Sequence, residues 1–407
     1  MEPGDIAWVL VSAALVLFMT PGLALFYGGM DRQRNVLNML MMNFWCLLIV
    51  PVIWAVVGYS LAQAGDGNII GNLDAAFLKD IGIGEDNGGS IITIAFLGMF
   101  ASITPALISG AVAGRMKFSA WAIFVPAWLL LVFCPVFKWV YGGWLADRGS
   151  IDFAGGTAIH VNAGIAALAA VLVLGKRKNW PNPGGPPHSM PLVMLGTGIL
   201  WFGWFGFNAG SALAANGQAA QAFMNTFLAA AAAGLAWALV ERIRDGHFTN
   251  LGAASGIVAG LVAITPAAGF VAGMSPIWMG LIAGAVCCYA VGWKKKLGYD
   301  DALDVVGVHF VGGLVGSILL GFFADQDFFG GEFGDGVFFG GGATLLVEQI
   351  IANASTIVYS FIVTFAIMKV LDLTIGVRVS EDVEDSGLDL AEHAETAYHT
   401  FESAGRA

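Results

Sequence analysis

The chain has 407 residues, of which 57% are hydrophobic and 12% are charged, about half the charged fraction of an ordinary soluble protein. This composition predicts a polytopic membrane protein and excludes an ordinary soluble domain. The net charge is −11, and the sequence has no basic patch with interleaved aromatic residues, which argues against nucleic acid as a partner.

Apolar segments long enough to cross a bilayer follow one another along the chain. A transmembrane helix needs about 20 predominantly apolar residues. Eleven segments meet this requirement, at approximately 6–27, 36–63, 90–113, 118–141, 153–174, 191–215, 220–241, 249–271, 275–293, 304–323 and 343–371. We interpret the first as a span rather than a cleaved signal peptide, because no Lys or Arg precedes it. The sequence therefore predicts an all-α polytopic membrane protein with eleven transmembrane helices.

The distribution of basic residues indicates how these helices are oriented. If the N-terminus lies outside the cell membrane, all but three of the 18 basic residues fall on the inner side; the exceptions are Lys79, Lys138 and Arg148. An excess of Lys and Arg is typical of cytoplasmic loops. The sequence thus predicts an outer N-terminus and a cytoplasmic C-terminal tail over residues 372–407.

Two predicted outer loops, 64–88 and 324–342, are rich in Gly and Asp. They form either a mildly acidic vestibule that attracts cations or ordinary solvated loops, and the sequence favours neither.

The order of the spans predicts an internal repeat. His160 lies in the fifth span, and His309 lies in the fifth span counted from the sixth. Because each set contains an odd number of helices, the second copy is inverted relative to the first, as in many transporters. The repeats cover about 6–174 and 191–323, and helix 11, at about 343–371, has no counterpart.

A pair of aspartates supports the same symmetry. Asp152 precedes His160 by eight residues, and Asp301 precedes His309 by eight residues. The inversion places Asp152 at the outer membrane face and Asp301 at the inner face. Asp152 stands at the start of a helix, where a carboxylate caps free backbone N–H groups. In the same position it helps to recruit cations at a pore entrance.

The two histidines are the strongest functional candidates. An ionisable side chain in the middle of a span is costly and marks a functional site. A buried imidazole pair is expected to be neutral or to share a proton, and it offers one donor and one acceptor to a small polar solute or to a proton. Metal binding is the weaker alternative, because the sequence supplies no third ligand, and no cofactor motif is present.

Aromatic residues form a second group of candidates. Phe96 and Phe100 are four residues apart and share one helix face, as do Phe207 and Ser211. Such residues are most often packing residues. Their mixture also suits a small cation, because aromatic faces attract cations and a Ser hydroxyl accepts from N–H donors. Phe100 and Phe207 are able to close a pore as a dry gate.

The four cysteines stand inside apolar segments, without zinc-site spacing. We interpret them as packing residues rather than redox or metal groups. They are Cys46, Cys134, Cys287 and Cys288.

The sequence resembles the ammonium transporters of the Amt/Mep/Rh superfamily, and within it the Amt branch. The motifs are D-F-A-G-G-T-A-I-H-V-N-A-G (152–164), F-L-G-M-F-A (96–101), W-F-G-F-N-A-G-S (204–211), D-V-V-G-V-H (304–309) and G-L-D-L-A-E-H-A-E-T-A-Y (387–398). They occur in the family's order, and the resemblance covers essentially the whole chain.

The resemblance implies an outer ammonium site built from aromatic residues and a serine. Carried over to this chain, Phe96 and Ser211 belong to that site, and Phe100 and Phe207 form a stacked gate beneath it. The family usually has a Trp at the outer site as well. Here Tyr141 occupies the matching position, with Trp139 and Trp144 nearby. A Tyr offers a weaker cation–π face and adds a hydroxyl.

The resemblance also implies the remaining parts of a transporter. His160 and His309 match the family's twin pore histidines, and Asp152 matches its structural carboxylate. The resemblance implies that residues 1–371 form the transmembrane transporter domain. The family forms homotrimers with one pore in each subunit. Residues 372–407 resemble a cytoplasmic regulatory tail that couples to PII-type proteins.

These features favour a transporter that recruits ammonium, deprotonates it and conducts ammonia. The proton is either left outside or relayed along the histidine pair. One alternative is an ammonium sensor with the same fold, which would bind ammonium without flux. Another is a channel for a neutral solute such as water, urea or carbon dioxide, which would need no outer cation site. An enzyme is disfavoured, because no nucleophile–base pair, phosphate loop or metal cluster is present.

Overall fold

The computed structural model describes residues 1–82, 88–181, 185–329 and 334–398. In these ranges the regular structure is helical, apart from one isolated antiparallel bridge between Met116 and Arg378. Parts of three predicted segments, residues 83–87 and 330–333 of the outer loops and 399–407 of the tail with Arg406, lie outside the described residues.

Eleven long or apolar helices correspond to the eleven predicted segments. They are α1 (Pro3–Met30), α2 (Gln33–Gln63), α3 (Ser90–Val112), α4 (Phe118–Asp147), α5 (Gly156–Leu174), α6 (Met190–Gly210), α7 (Gly217–Asp245), α8 (Asn250–Ile264), α9 (Ser275–Leu297), α10 (Val306–Phe323) and α11 (Thr344–Thr374). Within the described ranges, 10 of them are long and apolar enough to cross a membrane, and α8 is shorter, with 15 residues. Two short helices follow, α12 (Glu381–Ser386) and α13 (Leu388–His393).

Helix α8 ends earlier than the predicted segment 249–271, at Ile264. Pro266 lacks an N–H group and cannot continue the helical hydrogen-bond ladder. The chain then turns, and its carbonyl groups find other partners: Phe153 N donates to Pro266 O at 3.0 Å. Asn225 Nδ2 donates to Ala268 O at 2.8 Å. Hydrophobicity alone could not reveal this end, because the turn is as apolar as the helix before it.

The outer surface of the helix bundle carries the large apolar side chains that a bilayer requires. Leu48, Val52, Leu195 and Phe202 are among those that are more than half exposed. Trp121, Trp128 and Trp204 are fully buried instead, and their indole N–H groups are paired; Trp128 Nε1, for example, donates to Thr364 Oγ1 at 2.9 Å. The fold is therefore built with lipid as its outer solvent.

A buried polar network attaches α11 to the two histidine-bearing helices. Asn353 Nδ2 donates to Ser317 Oγ of α10 at 2.6 Å, and Thr157 Oγ1 of α5 donates to Asn353 Oδ1 at 3.3 Å. Gln349 holds the segment before α5 by two bonds, from Ile151 N at 2.9 Å and to Ile151 O at 2.9 Å. Although α11 has no counterpart in the predicted repeat, it fixes both helices that carry the site.

Glycines allow α5 and α10 to touch backbone to backbone. A Cβ atom added at Gly164 would collide with the backbone nitrogen of Phe310, and one at Gly313 would lie 3.0 Å from both Gly156 O and His160 Cβ. Small residues permit this kind of approach in membrane proteins. The glycines of the two histidine motifs therefore determine how near the histidines come to each other.

We predict that Gly164→Ala destabilises the protein by about 2 kcal/mol or more, because the methyl group overpacks a backbone contact. The control is Gly198→Ala on α6, where nothing lies within 4 Å of the added Cβ. That change should leave stability equal or raise it by up to about 1 kcal/mol, since Ala has the higher helix propensity. Unfolding in detergent measures both variants, and equal stabilities would contradict the close packing.

Candidate functional site

The buried carboxylate of Asp152 organises the start of α5. Its Oδ1 accepts from Gly155 N at 2.8 Å and Gly156 N at 2.7 Å, and its Oδ2 accepts from Thr157 N at 2.8 Å and Ala158 N at 3.1 Å. These N–H groups would otherwise lack partners, as at any helix N-terminus. One side chain thus completes the first turn of the helix that carries a pore histidine.

Both histidines lie in π-helical turns, His160 in Gly156–Val161 and His309 in Val306–Phe310. A π-turn inserts one extra residue per turn and redirects the side chains, and it occurs often at functional sites. These turns could not be predicted from the sequence, because a π-turn has no residue pattern that separates it from an α-helix.

The two imidazole rings form a hydrogen-bonded pair in the core of the bundle. His309 Nδ1 and His160 Nδ1 are 3.3 Å apart, the ring centroids are 5.4 Å apart, and the side chains are 2% and 1% exposed. One Nδ1 atom must carry the hydrogen while the other accepts it. His160 Nε2 has no hydrogen-bond partner among the described residues. This nitrogen is therefore open to a solute or a proton.

The histidine pair lines a small, mostly apolar cavity. The cavity beside the rings measures about 10 Å³ and is otherwise walled by apolar side chains of α1, α3, α5, α6 and α8. A space of this size holds about one water-sized molecule. Trp204 forms part of the wall, stacked on His160 at 5.4 Å between centroids. Trp204 was not predicted to be a site residue. It lies three residues before Phe207 and therefore on the same helix face, which was the one feature of the sequence that could have indicated its position.

A pair of stacked phenyl rings lies between this cavity and a larger one, since Phe207 lines the first and Phe100 lines the second. The Phe100 and Phe207 centroids are 4.1 Å apart with an interplanar angle of 25°. Phe207 in turn lies 6.0 Å from the His160 ring, and Phe96 lies 4.8 Å from Phe100. The predicted gate residues are thus brought together directly above the histidine pair.

Above the gate lies a larger cavity of about 440 Å³, to which Phe96, Tyr141, Asp152 and Ser211 all contribute. We call it the vestibule. Ser211 Oγ donates its hydrogen to Phe207 O at 2.8 Å. Its oxygen lone pairs are therefore left to accept from an N–H donor in the vestibule. Thr93 and Gln218 also line this cavity and were not anticipated, since isolated polar residues at span ends carry no distinctive pattern.

Of the three aromatic residues considered for the remaining position, Tyr141 is the one that lines the vestibule. Its ring packs on Phe137 at 4.6 Å between centroids. Trp139 points elsewhere: it packs on Tyr359 at 4.7 Å and donates from Nε1 to Ile69 O at 2.8 Å. Tyr141, rather than Trp139, therefore shares the vestibule wall with Phe96 and Ser211.

At the start of α10, Asp301 occupies the position that matches Asp152. Its Oδ2 accepts from Val306 N at 2.7 Å. Burial raises the pKa of Asp301 to about 6, against the opposing effect of Lys294. Lys294 Nζ donates to Asp301 O at 2.8 Å and forms an ion pair with Asp304 Oδ1 at 2.6 Å. Helices α5 and α10 thus both have a buried carboxylate that accepts from backbone N–H groups at their start, and Asp301 lies in a more highly charged environment than Asp152.

The C-terminal segment packs against the end of the bundle where α2 begins and where Lys178 follows α5. Glu384 is 2% exposed; its Oε2 accepts from Arg378 NH2 at 2.7 Å and its Oε1 accepts from Lys178 N at 2.9 Å. Asp389 Oδ1 accepts from Asn38 N, at the start of α2, at 2.9 Å. In two of these three bonds the donor is a backbone N–H group, which every residue except proline has. Sequence patterns therefore could not predict them.

The four cysteines are buried free thiols. Within the ranges that the structure describes, no group of three or more His, Cys, Asp or Glu side chains is placed to hold a metal ion.

A helical bundle with a lipid-facing exterior, an aromatic vestibule and a small internal cavity beside two buried histidines defines a multi-pass membrane protein of the transporter class. Comparisons with known proteins agree. The chain matches the model of the Ammonium Transporter Family over residues 7–398. An ammonium transporter of Mycobacterium tuberculosis is 49% identical to this chain over 438 aligned positions, gaps included. The match covers 99% of this chain and 92% of that protein.

Solved structures show the same fold. The crystal structure of Candida albicans Mep2 has a TM-score of 0.88 and 34% identity, covering 94% of this chain and 87% of that one. A structure described as a sensor Amt protein has a TM-score of 0.88 and 28% identity, covering 96% of this chain and 98% of that one. The chain belongs to the ammonium transporter family.

We predict that Asp152→Ala lowers the free energy of unfolding by about 3 kcal/mol or more, because several buried N–H groups lose their acceptor at about 1–3 kcal/mol each. Asp152→Asn keeps one acceptor oxygen and should lose less. Thermal unfolding of the purified protein measures both. The exposed Asp147, changed to Ala, is the matched control; if Asp152→Ala were no less stable than this control, the capping role would be wrong.

Proposed function

We propose that this protein conducts ammonium-derived ammonia across the cell membrane through a pore within each subunit. The observation that carries the proposal is the alignment of the vestibule, the Phe100–Phe207 gate and the His160–His309 pair along one path. Each of them suits a different stage of the passage. The vestibule suits a cation, the gate excludes water, and the pore suits a small neutral molecule.

The electrostatic cost of an ion explains this order. Moving a bare ammonium-sized ion into a low-dielectric medium costs on the order of 20 kcal/mol, whereas ammonia is uncharged. In the proposed mechanism, ammonium is recruited by the rings of Phe96 and Tyr141 and by the Ser211 oxygen. It loses a proton near the Phe gate, and ammonia crosses the apolar pore.

The histidines give the pore its polar contacts. Ammonia carries both N–H donors and a lone pair, so a row of imidazole nitrogens can accept from it or donate to it. His160 Nε2, which lacks a partner in the described structure, is the first nitrogen below the gate that would meet the solute. The stacked Trp204 ring keeps the other side of the passage apolar.

We further propose eleven membrane spans with two inverted repeats, an outer N-terminus and a cytoplasmic tail. The helix-start carboxylates Asp152 and Asp301 and the two π-turn histidines support the repeat. With this orientation, α8 is the eighth span although it is short. The resemblance also motivates a homotrimer and a PII-type regulatory partner at the cytoplasmic face.

A sensor is the second candidate function. A structural neighbour with 28% identity is described as a sensor Amt protein, and Tyr141 changes the chemistry of the outer site. Electrical recordings with liposomes separate the two functions. A saturable ammonium current that exceeds the potassium current supports transport, and ammonium binding without current supports sensing.

For the proposed pore, His160→Ala should reduce the ammonium current at least about tenfold, because the solute loses a hydrogen-bonding partner inside an apolar passage. The matched control is His247→Ala, which changes an exposed loop residue far along the chain and should retain the wild-type current. Purified variants in liposomes of equal protein content provide the measurement. An unimpaired His160→Ala current would rule out the pore role.

For the proposed regulatory tail, Glu384→Ala should speed protease cleavage of the C-terminal segment several-fold and change the ammonium current. The substitution leaves the Arg378 guanidinium and Lys178 N without their buried acceptor. Glu381→Ala, on the exposed face of α12, is the control and should alter neither quantity. Faster cleavage with an unchanged current would contradict a regulatory role and leave only a structural one.

A further inference from the structure

The vestibule is much larger than the solute proposed for it. Its volume is about 440 Å³, whereas a water-sized molecule such as ammonium occupies about 30 Å³. The ammonium site at Phe96, Tyr141 and Ser211 therefore fills only a small part of the cavity. The residues that line the remaining space indicate which kind of larger ligand would fit there.

Aromatic rings dominate the wall and come from four different parts of the chain. Those that line the cavity are Phe96, Phe100, Phe137, Tyr141, Phe153 and Phe270. They pack on each other in pairs with steep angles: Phe137 and Tyr141 at 49°, and Phe153 and Phe270 at 81°. Because the six rings come from four parts of the chain, aromatic groups border the cavity on more than one side. Several convergent aromatic faces are the arrangement that recognises quaternary ammonium groups.

Among its described lining residues, the vestibule has no basic side chain, which suits a cation. The charged lining group there, the carboxylate of Asp152, already accepts from four backbone N–H groups, so the aromatic rings supply the attraction for a cation. The basic residue Lys138, on the same helix as Phe137 and Tyr141, is 4% exposed, and its Nζ donates to Gly65 O at 2.8 Å and to Gln63 O at 3.3 Å. Its charge is therefore taken up by loop carbonyls rather than presented to the cavity.

The exit from the vestibule does not admit a larger cation. The stacked Phe100 and Phe207 rings close it at 4.1 Å between centroids, and the pore beyond measures about 10 Å³. A tetramethylated nitrogen is several times larger than ammonium. It also has no N–H bond, so it cannot become neutral by losing a proton.

We propose that the vestibule is a binding site for small quaternary ammonium cations, which it holds as non-transported competitors of ammonium. This inference rests on the proposed function, since it assigns a second ligand class to the same outer site. A cation over the Phe96 and Tyr141 rings occupies the space that ammonium needs. Environmental quaternary amines thereby reduce ammonium uptake without entering the cell.

Two measurements with the full-length protein test the proposal, and tetramethylammonium chloride is the probe. Calorimetric titration of the purified protein should show saturable binding, at roughly millimolar concentrations for cation–π contacts of this strength. In liposomes at constant ionic strength, the probe should raise the ammonium concentration for half-maximal current and leave the maximal current unchanged. Sodium chloride replaces it in the control.

A matched pair of variants locates the site. Phe270→Leu removes one ring of the wall, and it should weaken tetramethylammonium binding about five- to tenfold, the effect of one cation–π partner. Phe223→Leu removes a ring that is 44% exposed on the outside of α7 and should bind the probe like the wild type. Choline and its uncharged carbon analogue dimethylbutanol test the need for charge, and choline should bind at least about tenfold more tightly.

The outcomes distinguish this proposal from the proposed function. Probe binding together with the absence of any ammonium current would keep the quaternary ammonium site and overturn transport. An ammonium current without probe binding, at concentrations on the order of 100 mM, would keep transport and overturn the site. A current carried by tetramethylammonium itself, or equal binding of choline and dimethylbutanol, would also overturn the proposal.

Discussion

The backbone contact between α5 and α10 is the constraint on which the rest of the structure depends. Gly164 lies against Phe310, and Gly313 lies against Gly156 and His160, so that a side chain at either glycine would separate the helices. The contact brings the two Nδ1 atoms to 3.3 Å and lets each imidazole satisfy the other. Two costly polar groups in an apolar bundle thus become one paired unit, whose cost is smaller than that of two isolated rings.

The same requirement, that buried polar groups find partners within the protein, shapes the surroundings of the pore. Asp152 accepts from the otherwise unpaired backbone N–H groups at the start of α5. The carbonyl groups of the turn after α8 accept from Phe153 N and from Asn225 Nδ2. The network of Gln349, Asn353 and Ser317 ties α11 to the same helices. Of these bonds, the one from Phe153 N holds the backbone of an aromatic residue in the vestibule wall, so that this residue is in place before any solute arrives.

The membrane-spanning segments, the two buried histidines and Asp152 could be predicted from the sequence, because each has a chemical signal of its own. Span length and the histidine positions are direct consequences of the bilayer thickness and of the cost of a buried ionisable group. Asp152 was recognised because a carboxylate before a helix has one obvious local task. The stacking of Phe100 on Phe207 followed only from the family resemblance, since residues on α3 and α6 have no spacing in common.

Other features depend on three-dimensional packing that no local pattern records. The end of α8 at Ile264, the π-turns at the histidines and the wall position of Trp204 all arise from neighbours distant in the chain. The tail contacts involve backbone partners, as in the bond from Asn38 N to Asp389 Oδ1, so the identity of the partner residue carries no information. Here only the folded chain determines which residues meet.

The bond between two Nδ1 atoms has a consequence for any proton that crosses it. When His160 carries hydrogen on Nδ1 and His309 on Nε2, a complete transfer has three parts: His160 Nε2 takes up a proton, the Nδ1 hydrogen of His160 moves to His309 Nδ1, and His309 Nε2 releases its hydrogen. One proton has then moved from the His160 side to the His309 side, and each ring is left in the opposite tautomer. In that new state, the pair can pass the next proton only in the reverse direction. Both rings must therefore return to their starting tautomers before the pair can carry a second proton in the original direction. Ammonia would pass the rings without changing either tautomer, so only proton transfer would require this additional step in each cycle.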